Sequence, residues 1–262
     1  MRGLAAALVL WSAAAAASDL PPADVFVVGE VHGNPAHHAF QAEVVARVRP
    51  AAIVFEMLLP EQAARVRPDV RGDAEALEAA LGWEARGWPE FRLYHPIFTA
   101  APEAAVVGGD VPPPEVRRAV GEGAAAVFDA VFGEGAARFG LERALEPEEQ
   151  AAREALQARA HCDAMPEEML PGMVEAQRLR DAALARAVLE AHDVRGGPVV
   201  LITGSGHART DWGVPALLAL AAPELTVHAI GQFEGDPGSG VPFDALRLAD
   251  PVERPDPCDA FR

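Results

Sequence analysis

Short apolar runs alternate along this chain with longer segments in which apolar residues recur at helical spacing. The runs cover residues 24–30, 51–57, 104–110, 198–206 and 225–231, and none of them alternates apolar with polar positions. Strands have such continuous apolar runs when helices cover both faces of a sheet, and strands alternating with helices are typical of parallel pairing. The pattern therefore predicts an α/β fold with an open, mostly parallel sheet and flanking helices.

A long segment, residues 112–195, separates the third apolar run from the fourth. Three stretches within it have helical periodicity: EVRRAVGEGAAAVFDAVF, EEQAAREALQARAH and GMVEAQRLRDAALARAVLEAH. We interpret this segment as a helical insertion between the third and fourth strands. It forms a helical subdomain within a single α/β domain that spans residues 19–262.

Each predicted strand leads into a polar side chain at its carboxyl end. These side chains are Glu30 and His32 after the first strand, then Glu56, Asp110, His207 and Gln232. In open parallel sheets the carboxyl ends of the strands share one edge, and ligands bind in the crevice outside it. The sequence therefore predicts a functional site at this edge.

Carboxylate and imidazole groups are suited to metal ligation and to proton transfer. Glu30, His32, Glu56 and His207 are the candidate catalytic residues, and the last three are also candidate ligands for a divalent metal ion. The alternative is that such residues cap helices and satisfy loop amides. Asp110 before VPPPE and Asn34 before a proline fit that structural role.

Two further motifs lie next to these residues. TGSGHARTDWG is rich in glycine, but it lacks the lysine of a phosphate loop and the third glycine of a dinucleotide fingerprint. Its glycines are expected to let the backbone approach a ligand beside His207. His37 and His38 fall in the first turns of a helix that starts near Pro35, where one of them can face the crevice and the other solvent.

The charge of the chain limits its partners. The formal net charge is −17, and arginine supplies all 22 basic side chains. An acidic surface without a basic patch repels phosphate backbones and anionic lipid headgroups, so neither nucleic acid nor a membrane surface is an expected partner.

The first residues predict a secretory signal peptide, residues 1–18. Arg2 precedes an apolar run from Leu4 to Trp11, and small residues follow it. A membrane anchor is the alternative, but a span of about 20 apolar residues is reached only if the weakly hydrophobic alanines are counted. No cysteine lies near the cleavage site, so there is no lipobox and the secreted chain is expected to be soluble.

The chain has two cysteines, Cys162 and Cys258. An oxidising compartment favours a disulfide between a single pair. Two free thiols are the alternative, because sequence separation does not fix the Cα distance that a disulfide requires. The bridge would tie the tail to the helical segment.

Four ordered motifs carry a family resemblance: VVGEVHGNPAHHAFQ, VFEM, HCDAMPEEMLPGMVEAQRLRDAALA and LITGSGHARTDWGVP. Over residues 24–232 the chain resembles the ChaN family of haem-binding uptake proteins, in a superfamily with the Tiki metalloproteases and erythromycin esterases. The resemblance implies an α/β fold with a helical subdomain, haem as cofactor and other haem-uptake components as partners. The predicted signal peptide implies a periplasmic location. It places the superfamily's acid and histidine motifs on Glu30 and His32, on Glu56 and on His207. Many ChaN-like proteins are lipoproteins, and this chain departs from them in lacking a lipidatable cysteine.

Side-chain chemistry then suggests how haem is held. The chain has one tyrosine, Tyr94, and a phenolate suits iron(III) haem. It lies in GWEARGWPEFRLYHPIF, next to His95, and Trp83, Trp88, Phe91 and Phe98 offer an apolar surface for a porphyrin. The alternative is an ordinary aromatic helix packed on the sheet with the hydroxyl bonded to backbone.

Other residues also suit a haem. Tyr94, His95, His37 and Arg178 are the candidate haem contacts, the arginine, like Arg180, as a propionate partner. Met165, Met169 and Met173 are alternative ligands, although such stripes more often fill a core.

Three functions stay open at this point. The protein is a periplasmic haem carrier in iron acquisition, or a metal-dependent hydrolase that uses Glu30, His32, Glu56 and His207, or a scaffold for protein contacts. The resemblance favours the carrier. A homodimer is an open alternative to a monomer.

Overall fold

The structure is a computed structural model, and it describes residues 20–254 and Cys258. The predicted signal peptide, residues 1–18, lies outside the described residues. The strands are β1 (Val25–Val28), β2 (Ala52–Phe55), β3 (Ala105–Gly108), β4 (Val199–Ile202), β5 (Val227–Glu234) and β6 (Ala245–Ala249). The α-helices are α1 (Pro35–Val48), α2 (Pro60–Ala63), α3 (Pro68–Arg71), α4 (Ala74–Leu81), α5 (Phe91–Ala100), α6 (Pro113–Glu122), α7 (Ala124–Phe132), α8 (Pro147–Ala160), α9 (Leu170–Arg195) and α10 (Val214–Ala221). Single turns of 3₁₀ helix lie at Glu84–Arg86, Ala136–Phe139 and Glu167–Met169.

The six strands form one open sheet in the order β3-β2-β4-β1-β5-β6, and every pair is parallel. β1 therefore lies near the middle of the sheet, between β4 and β5. The predicted α/β fold with an open parallel sheet is confirmed. Because all strands run the same way, the residues after β1, β2 and β4 emerge at one edge.

Alternate strand residues face opposite sides of the sheet, and each side has its own core. Val25 and Val27 pack with α6, α7, α9 and α10 on one side. Phe26 and Val28 pack with α1, α4 and α5 on the other. This double cover explains why β1 reads as a continuous apolar run, since all four of its residues are buried.

The segment between β3 and β4 is helical, as predicted. The 26-residue helix α9 packs directly on the sheet, and its buried side shares one core with β1, β2 and β4. The insertion is therefore part of the domain core. Among the described residues no helix is both long and apolar enough to cross a bilayer.

A disulfide joins Cys162 to Cys258, whose Cα atoms are 5.6 Å apart. The predicted bridge is confirmed, and it ties the C-terminal tail to the turn between α8 and α9. The intervening separation is 96 residues, so the bridge closes a large loop.

One prediction about the end of the sheet was wrong, and one strand was missed. β5 was expected to end at residue 231, but it continues to Glu234, so Gln232 lies within the strand. Its side-chain amide donates to the Gly29 carbonyl at 2.7 Å instead of facing the crevice. The edge strand β6 was not predicted, because its alternating ALRLA pattern is short and follows a loop rich in glycine and proline.

Candidate functional site

Three aromatic side chains, from the loop after β1, from α1 and from α5, surround the buried carboxylate of Glu30. Glu30 Oε1 accepts from His32 Nδ1 at 2.5 Å and from the Tyr94 hydroxyl at 2.7 Å. His38 Nδ1 lies 3.3 Å from the other oxygen of Glu30. Asn34 caps α1 by accepting from Ala36 N at 3.0 Å, which fixes the helix start that carries His38. The predicted capping role of Asn34 is confirmed.

These contacts change the ionisation of the carboxylate and of its partners. Burial alone would raise the pKa of Glu30, but the hydrogen bond from His32 and the nearby His38 imidazole outweigh it and lower this pKa to about 2. Burial would lower the pKa of His32, and the hydrogen bond to Glu30 raises it instead. Burial and the charge of Glu30 both raise the pKa of Tyr94. Tyr94 is therefore held as a neutral phenol that donates to Glu30.

A second carboxylate, Glu56, lies at the end of β2. Its Oε2 accepts from the Thr203 hydroxyl at 2.6 Å and from Gly204 N at 2.7 Å, both just after β4. Its Oε1 accepts from the Arg180 guanidinium at 2.7 Å and lies 3.4 Å from His207 Nε2. Burial opposes ionisation of Glu56, but His207 and Arg180 hold its pKa well below the ordinary value. Both of its oxygens are thus committed to protein donors.

His207 lies between two buried carboxylates. Its Nδ1 donates to Asp181 Oδ1 at 2.6 Å, and its Nε2 faces Glu56. The amide nitrogen of Gln177 lies 2.9 Å from the same Nδ1. Burial alone would lower the pKa of His207, but the charges of Glu56 and Asp181 raise it to about 9. At neutral pH His207 is therefore an imidazolium.

His32 connects the two carboxylate groups. A Cβ added to Gly204 would lie 3.3 Å from His32 Nε2 and 3.7 Å from Glu56 Oε2. The Trp88 ring lies edge-on to the His32 ring, with centroids 5.2 Å apart. The His32 side chain is 36% exposed, whereas those of Glu30, Glu56 and His207 are almost fully buried. Of the four predicted site residues, His32 is the one that solvent reaches most readily.

The structure brings Glu30, His32, Glu56 and His207 together at the carboxyl edge, where the strand ends predicted them. It does not arrange them as metal ligands: among residues 20–254 and Cys258, no group of three His, Cys, Asp or Glu side chains could hold a metal ion. The reason is that Glu56 is saturated by donors and both His207 nitrogens face carboxylates.

Tyr94 lies inside the protein. It is fully buried beneath His38, with ring centroids 4.1 Å apart, and its hydroxyl bonds to Glu30 instead of backbone. The prediction of an apolar surface for a porphyrin was also wrong at Trp83, Phe91 and Phe98, because these side chains are buried in the core. The physical reason is that residues 91, 94 and 98 share one face of α5, and this face packs on the sheet. Trp88 alone of these tryptophans and phenylalanines is half-buried.

His95 and His37 face away from a ligand. His95 Nε2 lies 3.1 Å from the Arg71 carbonyl, outside the cluster. His37 is buried and its Nδ1 accepts from Val31 N at 2.9 Å, so it supports the loop after β1. The expectation that one of His37 and His38 faces solvent was wrong, because both are buried and His38 faces Glu30.

The two arginines of α9 diverge, because residues two apart in a helix point to opposite sides. The Arg178 guanidinium binds Glu175 at 2.6 Å and the carbonyls of Gly140, Leu141 and Arg143. Arg180 points to the carboxyl edge instead. Asp110 at the end of β3 pairs with Arg86 and lies 4.0 Å from Arg180.

Sequence reasoning also misjudged residues of the long helix. Asp181, which orients His207, and Gln177, which lies beside it, come from α9 and not from a strand end. Their sequence signal was present in AQRLRD, where they lie one helical turn apart. The expectation that the three methionines fill a core was wrong, because Met165 and Met173 are half-buried and Met169 is 39% exposed.

The fold and the site define a class: α/β proteins with a doubly covered parallel sheet and a carboxylate and imidazole cluster on its carboxyl edge. The family described as haem-binding uptake, Tiki superfamily, ChaN matches residues 16–218. This chain therefore belongs to the ChaN family of haem-binding uptake proteins.

Three solved structures are similar to this chain, and the first of them shares its fold. A ChaN of Campylobacter jejuni, described as showing cofacial haem binding, has 18% identity and a TM-score of 0.61, covering 82% of this chain and 84% of its own. The type III effector HopBA1 has 14% identity and a TM-score of 0.45, covering 87% of this chain and 88% of its own. A mutant erythromycin esterase, EreC, has 14% identity and a TM-score of 0.42, covering 84% and 75%. No curated protein matches at a significant level.

Proposed function

We propose that this protein binds ferric haem at the carboxyl edge of its sheet, with His32 Nε2 as the iron ligand. We further propose that it is a soluble periplasmic carrier that exchanges haem with other uptake components. One observation carries the ligand assignment: His32 is anchored through Nδ1 to Glu30 at 2.5 Å while its ring stays 36% exposed.

The chemistry of this donor suits haem iron. An imidazole that donates Nδ1–H to a carboxylate is fixed in orientation, and its Nε2 becomes a stronger base. A more basic imidazole favours the ferric state of haem iron, and haem supplies the iron that this nitrogen would bind. Tyr94 and His38 hold Glu30 in place from below, so they position the ligand without reaching the iron.

Two neighbours of His32 fit a flat ligand. Gly204 has no side chain to block the space beside Nε2. Trp88 presents a half-buried ring next to His32, and its indole nitrogen is buried with no hydrogen-bond partner among the described residues. An apolar ring of this kind suits packing against a porphyrin.

Arg180 replaces Arg178 as the proposed propionate partner. Its side chain is 28% exposed at the same edge, whereas that of Arg178 is 9% exposed and bonded to carbonyls. A guanidinium can bind Glu56 and a propionate together, because it has five N–H donors.

An exposed imidazole leaves the outer face of the haem uncovered. The Campylobacter protein is described as binding haem cofacially. We propose the same stacking here, with two haem-loaded chains meeting through their haem faces. Sedimentation of the chain before and after haem addition tests this, and a monomer in both states would contradict it.

A hydrolase remains the second candidate on one observation. An exposed imidazole oriented by a carboxylate, as in His32 and Glu30, is also the arrangement of a general base. The saturation of Glu56 and the buried position of His207 give a divalent metal ion no support, so this hydrolase would act without one.

The test is a titration of the purified chain with ferric haem, recorded with a metal analysis. The wild type should give a shifted Soret band, and His32→Ala should weaken binding at least tenfold and change the ligand spectrum. His95→Ala is the matched control, since it removes another half-buried histidine. Tyr94→Phe should leave the ligand spectrum unchanged.

Two results would overturn the assignment. Loss of a phenolate charge-transfer band in Tyr94→Phe, with His32→Ala unaffected, would make the tyrosine the ligand after local opening. No haem response together with ester hydrolysis that depends on His32 would favour the hydrolase.

A further inference from the structure

A cavity of about 220 Å³ lies between the helical insertion and α10, separate from the haem site proposed above. It lies between α8, α9 and α10 and the segment that follows α7. Leu141 and Leu217 form apolar walls, and Trp212 and Ala216 also line it. Arg153 and Asp181 supply buried polar groups to the lining. Pockets that combine an apolar wall with a few polar groups are typical of small-molecule sites.

Asp181 has one oxygen without a partner. The residue is 1% exposed; its Oδ1 accepts from His207 at 2.6 Å, and its Oδ2 has no hydrogen-bond partner among the described residues. A buried polar atom that makes no hydrogen bond is costly. Burial raises the pKa of Asp181, and the charge and hydrogen bond of His207 oppose that rise. Because the carboxylate that faces this imidazolium accepts hydrogen bonds, the group that completes Asp181 is an N–H or O–H donor.

The buried charged groups beside this oxygen, Arg153, Arg178 and Asp181, already have partners, which decides the class of donor. Arg153 binds Glu149 at 2.9 Å, and Arg178 binds Glu175 at 2.6 Å. Asp181 itself faces the His207 imidazolium. A ligand ammonium would add a buried charge without a counterion of its own, whereas a neutral donor adds no charge.

We propose that this cavity binds a small neutral alcohol or primary amide with an apolar body. The donor group bonds to Asp181 Oδ2, and the apolar body packs on Leu141, Leu217 and the Trp212 ring. This site does not depend on haem, so it stands or falls separately from the function proposed above.

Benzyl alcohol and benzyl methyl ether form a matched pair of probes, since they differ in the hydroxyl donor. Trp212 is the local reporter because its ring lines the cavity. The Arg209 guanidinium lies 3.9 Å from the centre of this ring. Its indole N–H resonance, assigned with Trp212→Phe, should shift with benzyl alcohol in the millimolar range. The ether should bind about tenfold more weakly, which corresponds to about 1.4 kcal/mol.

Two variants on α10 control for non-specific binding. Ala216→Phe fills the cavity and should abolish the shift, whereas Ala219→Phe adds the same ring at an exposed position of the same helix and should not. In Asp181→Asn the preference for the alcohol should vanish, because an amide N–H facing the cavity cannot accept the alcohol's hydrogen and can donate to the oxygen of either probe. If Asp181→Asn does not fold, the two α10 variants still decide whether the probe binds in this cavity.

Three results would overturn the proposal. Equal affinity for the alcohol and the ether would make the cavity a non-selective apolar void. Tighter binding of benzylammonium than of the alcohol would replace the neutral class with a cation. No binding of any probe at tens of millimolar would leave Asp181 Oδ2 to a buried water.

Discussion

The His207 imidazolium gives the stability of the fold a dependence on pH that is opposite to the usual acid behaviour. The pKa of His207 is raised from 6.5 to about 9 by Glu56 and Asp181, against the effect of burial. The folded chain therefore binds this proton more tightly than the unfolded chain does. Its contribution to stability is fully present below pH 6.5 and is lost as the pH rises through about 9.

The magnitude follows from the two pKa values. A difference of about 2.5 between the folded and unfolded pKa values corresponds to about 3 kcal/mol, since each pH unit contributes about 1.4 kcal/mol. For a domain of this size the melting temperature should fall by roughly 10 °C between pH 6 and pH 10. His207 is 6% exposed, so solvent screens this interaction little.

Urea unfolding of the haem-free chain at pH 6, 7, 8, 9 and 10 measures this effect. His207→Gln should be less stable than wild type at pH 6 and should lose most of the alkaline slope. His95→Gln, which alters a histidine outside the cluster, should keep the slope. A wild-type stability that is flat from pH 7 to 9, or equal slopes in wild type and His207→Gln, would refute the assignment of a charged His207.

Three further outcomes are expected. Replacing Cys162 and Cys258 with serine should lower the free energy of unfolding by up to about 4 kcal/mol, because the bridge closes a loop of 96 residues; an unchanged urea midpoint would contradict this. Gly204→Ala should weaken haem binding more than it lowers stability, since its Cβ would lie 3.3 Å from His32 Nε2; parallel melts and titrations compare the two. Tyr94→Phe should cost about 1–2 kcal/mol in urea unfolding, because a buried carboxylate loses one donor, and a neutral effect would show that this bond is dispensable.

The sequence by itself determined the architecture and the edge where the site lies. The apolar runs of β1, β2 and β4 are typical of strands covered on both faces, and parallel strands bring their ends together. Glu30, His32, Glu56 and His207 lie within one to five residues of the ends of those strands, so their grouping needed no knowledge of the packing. Local chemistry also located the α1 cap at Asn34.

Only the tertiary structure decided which side of each helix faces the site. Tyr94 was chosen for its chemistry, but the face of α5 that packs on the sheet buries its ring and gives its hydroxyl to Glu30. Arg178 and Arg180 are two residues apart, and the rotation of α9 on the sheet sends one to backbone carbonyls and the other to Glu56.

The pairing of His207 with Asp181 was decided in the same way. The two residues are 26 positions apart, and they meet because α9 packs against β4 and the turn after it. Helix rotation depends on contacts summed over a whole core, and no local sequence pattern encodes that sum. The strand ends therefore predict the members of the cluster, while packing decides their partners, their charges and which of them a ligand can reach.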